Sequence, residues 1–189
     1  MKIVSPKIKN YIEYSIIDSI KDNDFSNKLY NTNIKENIII SDITFDSCIF
    51  NNINFSNIKL DNVDLIDVIF KDCDISNQVF DNKLLSLFVN LGLLCYFKYT
   101  NFFASSLNNI EIIDSDFSNS IFTESKIKNI SLYNSTFNET EFIRTNLKDV
   151  DFSTCNIERI VFDIDSLKGI KINALQASDI ISLFGVQIK

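Results

Sequence analysis

Residues 115–142 read SDFSN-SIFTE-SKIKN-ISLYN-STFNE-TEF, and a large apolar side chain returns at every fifth position. An α-helix repeats every 3.6 residues and a strand every two, so neither keeps a five-residue step on one face for this long. A short repeat whose units cannot bury their own apolar side chains is typical of a solenoid, in which stacked units share one core. The step extends from Phe102 to Ile172 and, in a different phase, from Ile40 to Leu85.

Each five-residue unit has a second inward position, two residues before the central apolar one. It carries small or β-branched residues such as Ile53, Ser120 and Thr140, while the other three positions are mostly polar. This alternation places two side chains inside and one outside, as a short strand does. The chain has only 3 Gly and 1 Pro, too few to make the turns of a sandwich or a βαβ fold. We therefore expect corners built from Asn, Asp and Ser, which tolerate tight turns.

Several units match a known repeat closely. INFSN at 53–57, VDLID at 63–67, TNLKD at 145–149 and VDFST at 150–154 resemble the A(D/N)LXX unit of pentapeptide-repeat proteins. The resemblance implies an all-β solenoid, a right-handed quadrilateral parallel β-helix with four pentapeptides per coil and short helical caps at both ends. We assign residues 25–172 to this β-helix. Six to seven coils, spaced about 4.8 Å apart, give a rod about 30 Å long.

The five-residue phase breaks near residues 85–97, because twelve residues are not a multiple of five. Gln78 and Lys83 occupy inward positions just before the break, so we expect the coil to degrade over 78–94. One interpretation is a projecting amphipathic helix that meets a partner; the other is a bulged coil whose leucines still point inward. The apolar residues concerned are Leu84, Leu87, Phe88, Leu91 and Leu94.

Both ends have the pattern of caps, which solenoids need to shield their terminal layers. Residues 1–24 predict an N-terminal cap with a helix after Pro6, marked by Ile8, Tyr11, Ile12, Ile16 and Ile20. At the other end, within residues 173–189, Asn173 could N-cap a helix over 174–184 that Gly185 closes.

Residues 169–189 are similar to the C-terminus of the quinolone-resistance (Qnr and MfpA) pentapeptide proteins, where a helix and strand form a dimer interface. The resemblance implies a homodimer through this segment. The alternative is a cap folded onto its own last coil. The candidate interface residues are Leu175, Ile180, Leu183, Phe184, Val186 and Ile188.

The sequence offers little material for catalysis. It has no His, which excludes His-dependent triads and His-ligated zinc sites. Cys48, Cys73, Cys95 and Cys155 fall at second inward positions, and no two are separated by a coil of about twenty residues. We therefore expect buried, unstacked thiols and neither disulfides nor a metal site. A filled rod also lacks the concave pocket that catalysis requires, so we expect no enzyme activity and no cofactor.

Charge is the remaining guide to partners. A net charge of −7 argues against nucleic acid or anionic membranes as partners. No signal peptide or membrane-spanning run is visible, so we expect a cytoplasmic protein. Sorting outward residues into twenty-residue coils gives a candidate basic face of Lys126, Lys128, Lys148 and Lys168. It also gives a candidate acidic, DNA-mimicking face of Asp46, Asp64, Asp67, Asp72 and Asp74.

Two functions remain open. The first is a protein-interaction scaffold whose partner the sequence does not name. The second, implied by the C-terminal resemblance, is a DNA mimic that binds a type II topoisomerase, DNA gyrase or topoisomerase IV. Duplex DNA about 30 Å long carries about 18 charges, far more than this chain, so mimicry would need a local acidic face. We rank the scaffold first.

Overall fold

The computed structural model describes residue 8, residues 10–89 and residues 95–186, with the side chains of 84–89 excepted. These residues form a parallel β-solenoid, which confirms the predicted fold class. The helices are α1 (Ile16–Asp22) and α2 (Ala174–Ser182), with a 3₁₀ turn at Phe55–Asn57. The strands are β1 (Ile12–Glu13), β2 (Lys28–Tyr30), β3 (Ile38–Ser41), β4 (Thr44–Asp46), β5 (Ile49–Asn51), β6 (Ile58–Asp61), β7 (Asp64–Lys71), β8 (Leu84–Val89), β9 (Ser106–Ile113), β10 (Lys126–Tyr133), β11 (Glu141–Phe142) and β12 (Val161–Phe162).

Strand register fixes the coil at twenty residues over most of the rod. Phe45 lies beside Leu65, and Ile110 lies beside Ile130, each pair one coil apart. Twenty residues are four pentapeptides, so central side chains of one coil lie over those of the coil before. The rod therefore has four outer faces, one for each pentapeptide of a coil.

Phenylalanine stacks fill the interior. The rings of Phe97 and Phe117 are parallel within 4° with centroids 4.6 Å apart, and Phe102 lies 4.7 Å from Phe122. Phe122 in turn lies 4.8 Å from Phe142. Aromatic pairs at these distances contribute about 0.5–1.5 kcal/mol beyond the area that they bury. Stacking at every coil therefore stabilises the rod along its length.

The corners explain the shortage of glycine. The residue two after most central positions has a positive φ, for example 57° at Asn52 and 60° at Asn119. Asn and Asp enter this left-handed region at lower cost than most residues, and they occupy most of the corners. Larger or less suited residues also occur there: Tyr99, Ala104, Glu124, Glu139, Arg144 and Arg159.

Side chains at the second inward position also form hydrogen bonds between coils. In the C-terminal coils their hydroxyls donate to the carbonyl oxygen of a central residue one coil earlier. Thr140 Oγ1 donates to Phe117 O at 2.8 Å, and Ser125 Oγ donates to Phe102 O at 2.6 Å. A buried hydroxyl needs a partner, and Ser105, Ser120 and Thr145 find one in the same way, which extends this hydroxyl ladder. Ser115 and Ser135 differ, because each donates to the carbonyl oxygen two residues before it.

The phase break is a longer coil. Leu65 lies beside Leu85, but Phe70 lies beside Val89 and Asp74 beside Tyr96, so this coil reaches 22 residues. The sequence analysis expects the coil to lose its regular form from residue 78 onward, and at residue 78 itself this expectation is wrong. Gln78 is buried, and its amide group bonds to the backbone of Leu60 and Ile58 at 2.9 and 2.8 Å, replacing the usual small residue.

Residues 84–89 form strand β8, so the helix interpretation of this segment is wrong. The backbone stays in the sheet between β7 and β9. Leu91 and Leu94 lie outside the described residues, as do the side chains of Leu84, Leu87 and Phe88.

The N-terminal helix is shorter than the sequence predicts. Helix α1 begins after Ser15, whose side chain accepts a hydrogen bond from the backbone of Asp18. Ile12 lies instead in β1, opposite Lys28. Ile16 is buried and Ile20 is exposed, so a single turn of the helix contacts the first coil.

Helix α2 begins where the sequence places it. Asn173 accepts hydrogen bonds from the backbone of Leu175 and Gln176, and the Gln176 side chain completes a capping box. The helix ends at Ser182, before the left-handed Gly185. Gln176 Nε2 donates to Phe152 O and Cys155 O at 2.8 and 2.7 Å, which closes the last coil.

Candidate interaction surfaces

The larger grooves of the described residues lie on the outside of the rod. Two have volumes of about 670 Å³ each. One runs along Lys59 and Val79, and the other along Tyr133 and Lys148. Over the described part of the chain, no three Cys, Asp or Glu side chains are grouped to hold a metal ion. The surfaces that can act on another molecule are therefore the outer faces and the two ends.

The cysteines lie inside, but one expectation about them is wrong. The 22-residue coil stacks Cys95 on Cys73, and the Cys73 backbone amide donates to Cys95 Sγ at 3.5 Å. All four cysteines are free and buried. Burial raises the pKa of Cys73 to about 12 and those of Cys48 and Cys95 to about 11. These thiols stay protonated near neutral pH and are poor nucleophiles.

One outer face, called face 1 here, covers β4 and the N-terminal halves of β7, β8, β9 and β10. Its outward side chains flank the central residues Phe45, Leu65, Leu107, Ile127 and Leu147. The structure places the four lysines of the expected basic face together on face 1. Lys126 and Lys128 continue the columns of Ser106 and Asn108. The corners at Asn129 and Asp149 place Lys148 one coil after Lys128, and Lys168 lines the same groove as Lys148.

The five candidate acids do not share one face. Asp46 and Asp64 lie on face 1, in β4 and β7, and Asp67 lies at its corner. Asp72 and Asp74 lie two corners away, in a groove of about 300 Å³ beside Cys73 and Tyr96. Acids and lysines therefore occupy opposite ends of face 1. The sequence analysis assigned them to separate faces, because the phase break divides the repeat into two runs that were sorted separately.

Ion pairs link adjacent coils along the corners. Arg144 lies 2.5 Å from Glu124, and Arg159 lies 2.7 Å from Glu139, each pair twenty residues apart. These pairs are exposed, so each contributes at most about 1 kcal/mol. They neutralise much of the charge at these corners, which leaves face 1 as the more polarised surface.

A second face, called face 4 here, carries exposed apolar side chains that the sequence analysis did not single out. Ile121 lies between Asn101 and Glu141 in a column of bridged residues that begins at Val79 and ends at Val161. The exposed fractions are 49% for Val79, 36% for Ile121 and 43% for Val161. The sequence contained a signal for this column. The three residues are spaced about forty positions apart, and each stands one residue before a central position.

The C-terminal end is also apolar on its outside. Leu175 is 84% exposed, and Leu183, Phe184 and Val186 are about half exposed. Ile180 is partly buried against the core. Ile188, the last candidate interface residue, lies outside the described residues.

Comparisons with known proteins agree with the repeat. Residues 39–77 match the family model for pentapeptide repeats, in 8 copies, which confirms the resemblance. No curated protein sequence matches the chain. Across the described residues no helix is both long and apolar enough to cross a membrane.

Three solved structures illustrate the likeness. A trypsin-treated variant of QnrB1, a plasmid-mediated fluoroquinolone resistance protein, is 16% identical over 87% of this chain and 88% of that chain, with a TM-score of 0.36. HetL, a pentapeptide repeat protein involved in heterocyst differentiation regulation from the cyanobacterium Nostoc sp. strain PCC 7120, is 12% identical over 83% and 95%, with a TM-score of 0.32. Rfr23 from the cyanobacterium Cyanothece 51142 is 11% identical over 83% and 97%, with a TM-score of 0.35. Likeness at this level carries no argument about partners.

Proposed function

We propose that this chain, whose residues 39–77 are pentapeptide repeats, is a non-enzymatic scaffold that binds another protein through its outer faces. The observation that carries the proposal is the division between inside and outside. Phenylalanines and hydrogen-bonded hydroxyls fill the interior, and charged or apolar side chains stand in regular columns outside. Function lies in the sites that a fold carries and not in the fold itself. Here those sites are on the outer surface, where regular columns of side chains can bind another protein.

Face 4 is the surface that best supports a protein partner. Val79, Ile121 and Val161 expose apolar area between polar neighbours, and exposed apolar patches rimmed by polar residues mark protein contacts. The proposal includes a cytoplasmic location, with which four free cysteines are consistent. It includes no cofactor.

The test is affinity capture from the source cells with purified wild-type protein and an I121K/V161K variant. The expected result is one protein that wild type retains saturably and the variant loses. A variant with two changes elsewhere, S153K/T154K, is the matched control because it adds the same charge at the opposite side of the rod. Equal capture by all three proteins, or none by wild type, would contradict a role for face 4.

A homodimer through the C-terminus is a further part of the proposal. Helix α2 and the residues after it expose Leu183, Phe184 and Val186, and a second copy is one way to cover them. An L183D/F184D variant is expected to sediment as a monomer where wild type sediments as a dimer. An unchanged sedimentation coefficient would assign these residues to a cap and not an interface.

A topoisomerase ligand is the second candidate. It is supported by the net charge of −7 and the C-terminal sequence similarity. The division of the five acids between two places weakens it, because a DNA mimic needs a continuous acidic surface. A supercoiling assay decides: a molar excess of protein that neither inhibits gyrase nor protects it from a quinolone excludes this candidate.

A further inference from the structure

Face 1 changes sign along the rod. Its first coils carry Asp46 and Asp64, and its last coils carry Lys126, Lys128 and Lys148. The middle coil is neutral, with Ser106 and Asn108 outward. Within residues 10–89 and 95–186, the ion pairs closer than 4 Å include none of these three lysines. The lysine end is therefore available to carboxylates of another molecule.

The register gives the spacing of these charges. Asp46 lies beside Ile66, Leu65 beside Leu85, and Leu85 beside Leu107. Lys128 continues the column of Asn108, and the corners at Asn129 and Asp149 place Lys148 one coil later. Asp46 and Lys148 are thus five coils apart, about 24 Å.

Asp64 and Lys126 are three coils apart on the other outward column of the same face. The two pairs share one midpoint, between the coil of Leu85 and the coil of Leu107. A common midpoint is the condition for a two-fold axis to relate both pairs at once.

We propose that face 1 binds face 1 of a second copy, with the two rods antiparallel. A two-fold axis along the strand direction, placed at the shared midpoint, reverses the order of the coils and keeps each outward column on its own side. Asp46 then faces Lys148 of the second copy, and Asp64 faces Lys126 of the second copy. The symmetry repeats both contacts, which gives four ion pairs.

The same geometry excludes a parallel arrangement of the two faces. With the rods parallel, the two-fold axis would run along the rod and exchange the two outward columns, so Lys126 would face Lys128 of the second copy and the acidic ends would lie against each other. Like charges placed opposite one another are repulsive. The sign change along face 1 therefore selects the antiparallel pair.

The association is weak and depends on salt. A face of about seven coils and three outward residues covers about 340 Å² per copy, so the total of about 700 Å² lies below the size of a stable interface and in the range of weak contacts. Exposed ion pairs are individually weak, and salt screens them over about 10 Å at 0.1 M. We expect a dissociation constant above about 1 μM at low salt, rising about tenfold or more towards 0.3 M salt.

Sedimentation equilibrium of the full chain at about 0.02 M and 0.3 M salt measures this step. A K126E/K148E variant is expected to lose the part of the association that disappears at about 0.3 M salt, while the C-terminal contact stays. K59E/K71E has the same net charge, and its exposed lysines lie on other faces, so it is expected to lose much less. If K126E/K148E associates like wild type, or weakens no more than K59E/K71E, the proposal is wrong.

A charge exchange within one chain tests the register. D46K and K148E are each expected to raise the dissociation constant about tenfold, because each makes two contacts repulsive. The D46K/K148E double variant restores both contacts in the antiparallel pair, with the charges exchanged, and is expected to return to within about twofold of wild type. A double variant no tighter than the singles would overturn the antiparallel register. The C-terminal variant L183D/F184D leaves face 1 unchanged, so the two contacts can be separated.

Discussion

Ser120 Oγ donates a 2.7 Å hydrogen bond to the carbonyl oxygen of Phe97, one coil earlier. Both residues are buried, and the same relationship recurs at Ser125 and Thr140. The hydroxyl therefore links successive coils where a pentapeptide core would otherwise have only apolar contacts.

Removing this hydroxyl gives the first prediction. S120A is expected to lower the free energy of unfolding by about 1 kcal/mol, because Phe97 O keeps its bond from Thr100 N but loses the shorter one. Urea unfolding followed by circular dichroism measures the change. S56A alters an exposed serine and is expected to stay within about 0.5 kcal/mol of wild type. If S120A and S56A lower the free energy of unfolding equally, the hydroxyl ladder does not contribute to stability.

The second prediction concerns the phenylalanine stack. Phe117 lies between Phe97 at 4.6 Å and Phe137 at 5.5 Å. F117A is expected to cost about 3–5 kcal/mol, because it leaves a cavity inside a rod that has little freedom to collapse. F117L keeps most of the volume but loses the ring contacts, so it is expected to cost less. Thermal unfolding should rank wild type above F117L and F117L above F117A. F103A is the exposed control, and a loss as large as that of F117A would contradict the stacking argument.

The third prediction uses the corner at Ala104, where φ is 53°. A left-handed conformation costs a residue with a Cβ about 1–2 kcal/mol, which exceeds the extra freedom that glycine gains in the unfolded chain. A104G is therefore expected to stabilise the protein by about 0.5 kcal/mol. The same change at Ala177 in helix α2 should destabilise by up to about 1 kcal/mol. Chemical denaturation of both variants checks the opposite signs, and a loss at Ala104 would count against the corner geometry.

The fourth prediction is a pH dependence at Asp116. Partial burial by itself raises the pKa of this carboxyl, but hydrogen bonds from Ser118 and Lys98 outweigh it, and the net pKa lies below the ordinary value. A lowered folded-state pKa stabilises the fold above the unfolded pKa, and this contribution disappears as the pH falls through the folded one. D116N is therefore expected to be less stable than wild type at pH 7 by about 1 kcal/mol. The difference should shrink below about pH 4.

Asp81 supplies the contrast. Burial raises the pKa of its carboxyl, and its Oδ1 is buried without a hydrogen bond from any residue that the structure describes. A raised folded-state pKa favours the fold at acid pH and opposes it at neutral pH. D81N is thus expected to stabilise the protein at pH 7, opposite to D116N. Unfolding curves at pH 7 and about pH 4 compare the two variants, and the same sign for both would contradict the account.

The sequence predicted more of the core than of the surface. Central residues such as Phe117 and Phe142 are buried as their five-residue step requires, and Asn173 begins α2 as expected. The hydroxyl ladder was not predicted, because a bond from Ser120 to Phe97 joins residues 23 positions apart. The apolar column of face 4 was also missed, since single exposed residues gain meaning only when coils place them side by side.

The five-residue period by itself determined the solenoid, because inside and outside follow from the direction of each side chain along the chain. The polar corners followed for the same local reason. Only the tertiary structure decided the length of the irregular coil, the stacking of Cys95 on Cys73, and the meeting of Asp46 and Lys148 on one face. Each of these depends on register between distant strands. Register is set by pairing and packing between coils. Where the phase breaks, the five-residue repeat no longer predicts which residues of neighbouring coils lie side by side.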